Sequence, residues 1–156
     1  MKTERQPRQI DARGAGCTPA KAPSPRYTHY EAAKDAPKTE DDWLTVGSAY
    51  EALSADAHLH AGIIGHASAD GDAQRNKDLS LRRAKIVRDA LVTHGISSGR
   101  LLIAARGSDQ PVAANDTERG RELNRRVELF FYYPDKGDLQ TQYGVKIDIQ
   151  ARADLR

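Results

Sequence analysis

The stretch Gly65–Val87, GHASADGDAQRNKDLSLRRAKIV, combines carboxylates and guanidinium groups that could bind a charged ligand. Its loop supplies Asp70, and the segment that follows carries Arg82 and Arg83. We expect a helix with Ser80 as its N-cap, which would place both arginines in the first turn. Cations are unfavourable there by up to about 1 kcal/mol each, because the helix dipole is positive at that end. At least one arginine is therefore expected to face a carboxylate of the protein or of a ligand.

A second basic cluster lies in the segment GRELNRR, which contains Arg121, Arg125 and Arg126. If a strand starts here, Arg125 and Arg126 point to opposite faces of the sheet. One of them would then flank the first site, and the other would be solvated or paired with Glu128. The alternative, that the arginines of both clusters only form ion pairs within the protein, stays open at this point.

Composition limits the kinds of protein this chain can be. Its 156 residues are 38% hydrophobic, which suits a single domain with one core. The formal net charge of +2 gives no general support for nucleic-acid binding. Cys17 is the only cysteine, so an intramolecular disulfide and a zinc site built from several thiolates are both excluded. No apolar run approaches the roughly 20 residues that a membrane span needs.

Residues 1–26 have the composition of a disordered basic arm or linker. They contain six basic residues, two acidic residues and four prolines, without hydrophobic periodicity. The tetrapeptide GAGC is similar to the end of a lipoprotein processing site, but no apolar segment precedes it. We therefore expect no export signal in this segment, and we interpret Cys17 as incidental.

The next predicted elements are a strand, a helix and a second strand. RYTHYEA carries Tyr27 and Tyr30 and predicts a short strand. HLHAGIIGH predicts another strand, in which His58 and His60 share one face; this pair indicates either a metal site or, as we prefer, a solvated face. The helix between the strands is capped by Thr39 or Asp41, and its apolar stripe comprises Trp43, Leu44, Val46, Tyr50 and Leu53.

The second half of the chain predicts a return to the same sheet. The helix that begins at Ser80, with Leu79 packed on Ala84, ends at Gly95 and leads into the strand RLLIAARG. A short helix near residues 117–123 precedes the strand VELFFYY, and YGVKIDIQA predicts a C-terminal hairpin partner. We predict an α/β (α+β) two-layer sandwich with helices on one side of a mixed sheet. The buried face of the last core strand is expected to comprise Val127, Leu129, Phe131 and Tyr133.

The pattern GH…G…N..LS..RA..V…L…GI…RL…G…QP…N.T..GR..NRRVE resembles the OmpA-like C-terminal domain family, over about residues 60–130. The resemblance implies a βαβαβ fold. Together with the composition of the two ends, it predicts three segments: a disordered basic linker or tail over 1–26, the OmpA-like domain over 27–134, and, past the resemblance, a C-terminal β-hairpin extension over 135–156. It also implies non-covalent binding of the peptidoglycan stem peptide through meso-diaminopimelate. The far end of that residue carries an ammonium and a carboxylate on one carbon, so a pocket that recognises it needs an anion beside a cation.

By resemblance, Arg83 binds the ligand carboxylate, Asn76 orders the loop, Leu79 lines the site and Arg125 closes it. The family's loop reads GHTD where this chain reads GHAS, so Ser68 occupies the position of the expected aspartate. Serine can accept a hydrogen bond from an ammonium group but brings no charge. The remaining possibility is that a shifted loop brings Asp70 to the ligand instead.

Three functions follow from these observations. The first is a peptidoglycan-binding module in the periplasm, weakened by the missing loop aspartate and without a cofactor. The second is a domain of the same fold that acts as a protein–protein scaffold in the cell envelope. The third, a nucleic-acid binder using the arginine clusters, is disfavoured by the near-neutral net charge. An enzyme is not expected, because no catalytic set of residues stands out.

Overall fold

The computed structural model describes residues 22–137. These residues form β1 (Arg26–His29), α1 (Glu40–Ala55), β2 (His60–Gly65), α2 (Ala73–Thr93), β3 (Leu101–Ala105), α3 (Glu118–Asn124) and β4 (Arg126–Tyr132), with a 3₁₀ turn at Ser98–Arg100. Most of the predicted basic tail and the predicted hairpin around residues 145–149 lie outside the described residues.

The four strands form one mixed sheet in the order β1-β4-β2-β3. Strands β2 and β3 are parallel and are connected by α2, with Ala61 opposite Leu101. Strand β4 lies between β1 and β2 and is antiparallel to both. The predicted mixed sheet and the predicted βαβ unit are therefore confirmed.

One hydrophobic core lies between the sheet and the two long helices. Helix α1 packs mainly on β1, while α2 packs on β2 and β3. The strong alternation of β4 is confirmed on its buried face, where Val127, Leu129 and Phe131 are fully buried. Tyr133 lies just beyond the strand and is half-buried, and its hydroxyl donates to the Asp56 carboxylate at 2.8 Å. The core residues contributed by the two helices are Val46, Ala49, Leu53, Ala84, Val87 and Leu91.

Helix α1 begins at the first of the two predicted caps. The Thr39 hydroxyl accepts from the Asp42 amide, and the Asp42 carboxylate accepts from the Thr39 amide, which completes a capping box worth about 1 kcal/mol. The predicted apolar stripe is wrong at Trp43 and Leu44, whose exposed fractions are 41% and 66%. Ala49 takes a core position instead, because it lies on the same face of the helix as Val46 and Leu53.

Helix α2 begins eight residues earlier than the sequence predicted. Its N-cap is Asp72, whose carboxylate accepts from the Arg75 amide at 3.0 Å, so the prediction of Ser80 as the cap is wrong. Arg82 and Arg83 consequently lie in the third turn, where the dipole of the helix end no longer acts on them. The unfavourable position that the sequence analysis predicted for these two positive charges, at the start of a helix, is therefore not present in the structure.

Ser80 is buried within α2 and serves the packing of the helix on the sheet. Its hydroxyl donates to the Lys77 carbonyl at 2.8 Å and accepts from the Gly107 amide at 2.9 Å. A Cβ on Gly65 would lie 1.9 Å from the Ser80 carbonyl oxygen, so the backbones of β2 and α2 are in direct contact here. This contact fixes the end of β2, and the loop that follows it, against the middle of α2.

The predicted end of α2 at Gly95 is confirmed. Gly95 has a φ of +114°, which a residue with a side chain rarely adopts. Its amide donates to the Val92 carbonyl and the Ile96 amide donates to the Leu91 carbonyl, each at 3.0 Å. This is the Schellman arrangement, which turns the chain toward β3.

The two histidines predicted to share a strand face are separated by the start of β2. His58 lies in the preceding turn, where its amide donates to the Asp56 carboxylate at 2.9 Å. His60 is the first residue of β2 and makes an edge contact with the ring of Tyr132. Residues 22–137 contain no group of three His, Cys, Asp or Glu side chains that could hold a metal ion.

Candidate functional site

A cavity of about 400 Å³ opens where the loops after β1 and β2 meet the first half of α2. All six residues predicted for the site line this cavity, although they come from three separate segments of the chain. The full lining is Ala32, Ala33, Ala67, Ser68, Asp70, Arg75, Asn76, Leu79, Arg82, Arg83 and Arg125. The fold therefore gathers anionic and cationic side chains around one space.

The loop between β2 and α2 supplies the anionic side of the cavity. Ser68 is buried, and its hydroxyl donates to the Asp70 carboxylate at 2.8 Å, which leaves the second carboxylate oxygen for another donor. The loop is anchored where the Ala67 amide donates to the Gly107 carbonyl and the Ala69 amide donates to the Asn115 side chain. Asp70 is exposed and is the only acidic residue among those that line the cavity.

Arg83 forms the floor of the cavity and is fully buried. Its Nε, Nη1 and Nη2 donate to the carbonyl oxygens of Lys34, His66 and Glu31 at 2.8, 2.9 and 3.1 Å. The guanidinium also lies 4.9 Å from the ring centre of Tyr30. One N–H on each terminal nitrogen is not used by these bonds.

Burial is the main cause of the lowered pKa of Arg83. It lowers the pKa of the guanidinium to about 10, with a further contribution from the positive charge of Arg125, so the side chain stays charged at neutral pH. No carboxylate among residues 22–137 forms an ion pair with it, although at least one of Arg82 and Arg83 was expected to face a carboxylate of the protein or of a ligand. That partner exists only for Arg82, whose Nε lies 3.6 Å from the Asp35 carboxylate.

The loop after β1 is held in place by this arginine. Ala33 has a φ of +61°, a conformation that costs a residue with a side chain about 1 kcal/mol or more. The carbonyls of Glu31 and Lys34, on either side of it, are two of the three acceptors of Arg83. The same contacts that bury the charge therefore also shape the wall formed by Ala32 and Ala33.

Arg125 closes one side of the cavity from the end of α3. It is the C-cap of that helix, and β4 begins at Arg126, so the two arginines are not neighbours on one strand as predicted. Its Nε donates to the Tyr30 carbonyl at 2.8 Å and its Nη2 to the Glu118 carboxylate at 2.7 Å. Its Nη1 is buried without a hydrogen-bond partner among the described residues.

Arg126 is paired with Glu128, one of the two alternatives the sequence left open. Its Nε donates to the Glu128 carboxylate at 2.8 Å, and Nε2 of His66 lies 2.9 Å from the other carboxylate oxygen. Burial opposes ionisation of Glu128, but the hydrogen bond from His66 and the nearby positive charges together lower its pKa. Burial also lowers the pKa of His66, whose Nδ1 has no partner in the part of the chain that is described.

The face of α2 toward the cavity carries two predicted site residues and two residues that were not predicted to line the site. Asn76 is buried there and its side chain makes no hydrogen bond to the described residues, while Leu79 adds apolar surface. Arg75 and Arg82 lie on the same face and were not predicted to line the site. Their spacing of seven residues on one helix would have revealed this, had the helix start been placed at Asp72.

Comparison with known proteins agrees with this architecture. The model of the OmpA family matches residues 39–125, which is more than half of the chain. The chain belongs to the OmpA family. It is 46% identical over 67 residues to outer membrane porin F of Pseudomonas aeruginosa, covering 42% of this chain and 19% of that protein.

Two further similarities extend over more of the OmpA-family chain. It is 35% identical over 88 residues to the peptidoglycan-binding protein ArfA of Mycobacterium bovis, covering 56% of this chain and 27% of ArfA. The peptidoglycan-associated lipoprotein of Burkholderia pseudomallei has the same fold, with a TM-score of 0.65 at 22% identity, over 69% of this chain and 90% of that one. The chain thus spans about a fifth to a quarter of the length of the two curated relatives.

The composition of the described helices also bears on whether they could cross a membrane. Even the longest of them, the 21-residue α2, lacks the apolar character that crossing a membrane would need, and so do the other helices within residues 22–137.

Proposed function

We propose that this OmpA-family domain binds peptidoglycan without making or breaking a covalent bond, and that the stem peptide enters the cavity between α2 and the loops after β1 and β2. The observation that carries the proposal is that one carboxylate, Asp70, and several guanidinium groups line the same cavity. A diaminopimelate side chain ends in an ammonium and a carboxylate on the same carbon and matches this pairing. The names of ArfA and the Burkholderia lipoprotein support the same ligand class.

In this proposal Asp70 takes the part that the family resemblance assigns to the position of Ser68. Ser68 brings no charge, but its hydroxyl holds the Asp70 carboxylate at the cavity. The free carboxylate oxygen would accept from the ligand ammonium. The pairing is displaced by two residues relative to the family motif, so we expect weaker binding than an aspartate at the motif position would give.

The ligand carboxylate is proposed to lie against the cationic floor. Arg83 contributes its charge and the two N–H groups not used by its carbonyl bonds. Arg125 contributes the Nη1 group that has no partner within residues 22–137. A buried donor without an acceptor costs about 1–3 kcal/mol, so an anion that reaches it would recover part of that cost. Asn76 and Leu79 would contact the side chain of the ligand between its charged ends.

Peptidoglycan binding also implies where in the cell the domain acts. We propose that it acts in the periplasm, associated with the cell envelope, as part of a larger assembly. Its partner there is the cell wall, and further envelope proteins are possible neighbours on its other surfaces.

The test is co-sedimentation with purified sacculi, followed by titration with a stem tripeptide that ends in diaminopimelate. Asp70→Asn should weaken tripeptide binding by roughly tenfold to a hundredfold, because a charge-assisted hydrogen bond is lost. Asp109→Asn makes the same change at an exposed aspartate outside the cavity and should bind like the native chain. The exchange Ser68→Asp with Asp70→Ser keeps the net charge and should bind at least as tightly as the native chain.

A different outcome would favour the scaffold function. If the native chain neither sediments with sacculi nor binds the tripeptide, and the exchanged variant gains nothing, peptidoglycan binding is wrong. The domain would then be better explained as a fold retained for protein–protein assembly.

A further inference from the structure

The charges around the cavity do not balance. Four arginines line it, at positions 75, 82, 83 and 125, against the single carboxylate of Asp70. Arg82 is partly neutralised by Asp35, and Arg125 by Glu118, both from outside the lining. Arg83 has only neutral carbonyl acceptors. A ligand end that carries one ammonium and one carboxylate would leave the surplus positive charge uncompensated.

Arg75 is the part of this surplus that a ligand can reach most directly. It lies in the first turn of α2, is exposed, and its side chain has no hydrogen-bond or ion-pair partner among residues 22–137. It stands one turn before Leu79 on the face of the helix that lines the cavity. Arg83 and Arg75 therefore offer two separate positive groups, one at the floor and one at the mouth.

We infer that the cavity selects a ligand with a second carboxylate outside its zwitterionic end, and that Arg75 is the residue that recognises this second carboxylate. This inference rests on the proposed function and adds a specificity to it. The ammonium lies against Asp70, the adjacent carboxylate against the floor, and the second carboxylate against Arg75 at the mouth. Amidation of the second carboxylate keeps the shape of the ligand and removes the charge, so it should weaken binding.

The test compares two stem tripeptides by calorimetric titration. One has both diaminopimelate carboxylates free, and the other is amidated only at the carboxylate away from the zwitterionic end. The native chain should prefer the free peptide by about tenfold, the difference between a charge-assisted and a neutral hydrogen bond. The preference should shrink as the ionic strength rises, because Arg75 is exposed to solvent.

Arg75→Gln assigns the preference to this residue. The variant should bind the free peptide about tenfold more weakly than the native chain and should distinguish the two peptides by less than about twofold. Arg119→Gln is the control, since it removes the same charge from a residue with a 78% exposed side chain outside the cavity lining, and it should keep the native preference.

The outcomes separate this inference from the function on which it rests. If the native chain binds both peptides equally, or if Arg75→Gln keeps the full preference, the inference is wrong while peptidoglycan binding stands. If the native chain binds neither peptide, the proposed function fails and the inference fails with it.

Discussion

Two pairs of arginines line the same cavity and differ in their burial and in their hydrogen-bond partners. Arg83 and Arg125 are buried, and each donates to backbone carbonyls of the segment after β1. Arg75 and Arg82 are exposed on α2. Within residues 22–137, Arg82 has the Asp35 carboxylate at 3.6 Å and the Arg75 side chain has no partner. The difference teaches that the arginines around one cavity can differ in their structural role, since the buried pair also holds the backbone of the neighbouring segment and the exposed pair does not.

The largest test of this comparison is Arg83→Ala. The change leaves three carbonyl acceptors without their donor, of which that of His66 is buried, and it opens space under the cavity. We expect a loss of about 3–5 kcal/mol in the free energy of unfolding, measured by urea denaturation. Arg83→Met, which restores the volume but not the donors, should recover only a minor part of the loss. A loss below about 1 kcal/mol would contradict the structural role of this arginine.

Arg125→Ala should have a smaller effect of the same kind. It removes the donor to the Tyr30 carbonyl and the packing of the side chain against the segment after β1. We expect a loss of about 2 kcal/mol in unfolding free energy. Arg125→Lys keeps the charge but not the fork of donors, so it should lie between the native chain and the alanine variant. A lysine variant as stable as the native chain would show that charge alone suffices.

The floor should also respond to pH through His66, whose carbonyl accepts from Arg83. Burial lowers the pKa of His66, with Arg126 and Arg106 acting in the same direction against the opposing effect of Glu128. The unfolded chain therefore takes up this proton at a higher pH than the folded one. Stability should be complete above about pH 6.5 and fall as the pH drops below it, by at most about 1.4 kcal/mol per pH unit.

His66→Gln identifies the contribution of this residue. Glutamine can still donate to Glu128 but does not titrate. Denaturant midpoints of the variant should therefore change less between pH 6.5 and 5 than those of the native chain. A shallow slope should remain, because burial also lowers the pKa values of His29 and His60. Identical slopes for the native chain and the variant would exclude His66 as the group responsible.

The smallest effect is expected for Arg82→Ala. The side chain is 55% exposed and its ion pair with Asp35 is long, at 3.6 Å. Such surface pairs contribute little, so the change in unfolding free energy should stay within about 0.5 kcal/mol. A larger loss, approaching that of Arg125→Ala, would contradict the distinction between the buried arginines and the exposed arginines of the cavity.

Much of the fold could be predicted from local patterns. The alternation of β4 and the glycine that ends α2 have direct physical signatures in the sequence. The start of α2 has none that decides it, because Ser80 and Asp72 are both good caps. In the structure Ser80 lies within the helix, where its backbone contacts that of Gly65, a tertiary contact that the local sequence does not reveal.

The site was predictable in its membership but less so in its bonds. The structure brings to one cavity five residues at positions of the family pattern, together with Asp70, which was considered only as a substitute from a shifted loop. The family pattern could not indicate that Arg83 donates to main-chain carbonyls, since a carbonyl belongs to every residue and leaves no trace in side-chain types. It also could not place Arg75, because the predicted helix began at Ser80 and left this residue in the preceding loop.

The reach of Arg83 along the chain has a consequence for how this domain can be divided. Two of its acceptors lie 49 and 52 residues earlier in the sequence, before α1. A fragment that starts near residue 60, where the family motifs become dense, would contain the arginine and lack both of these acceptors. Any transplant of the site into another protein must therefore carry the chain from β1 onward, since the recognisable motif and the working unit do not share a boundary.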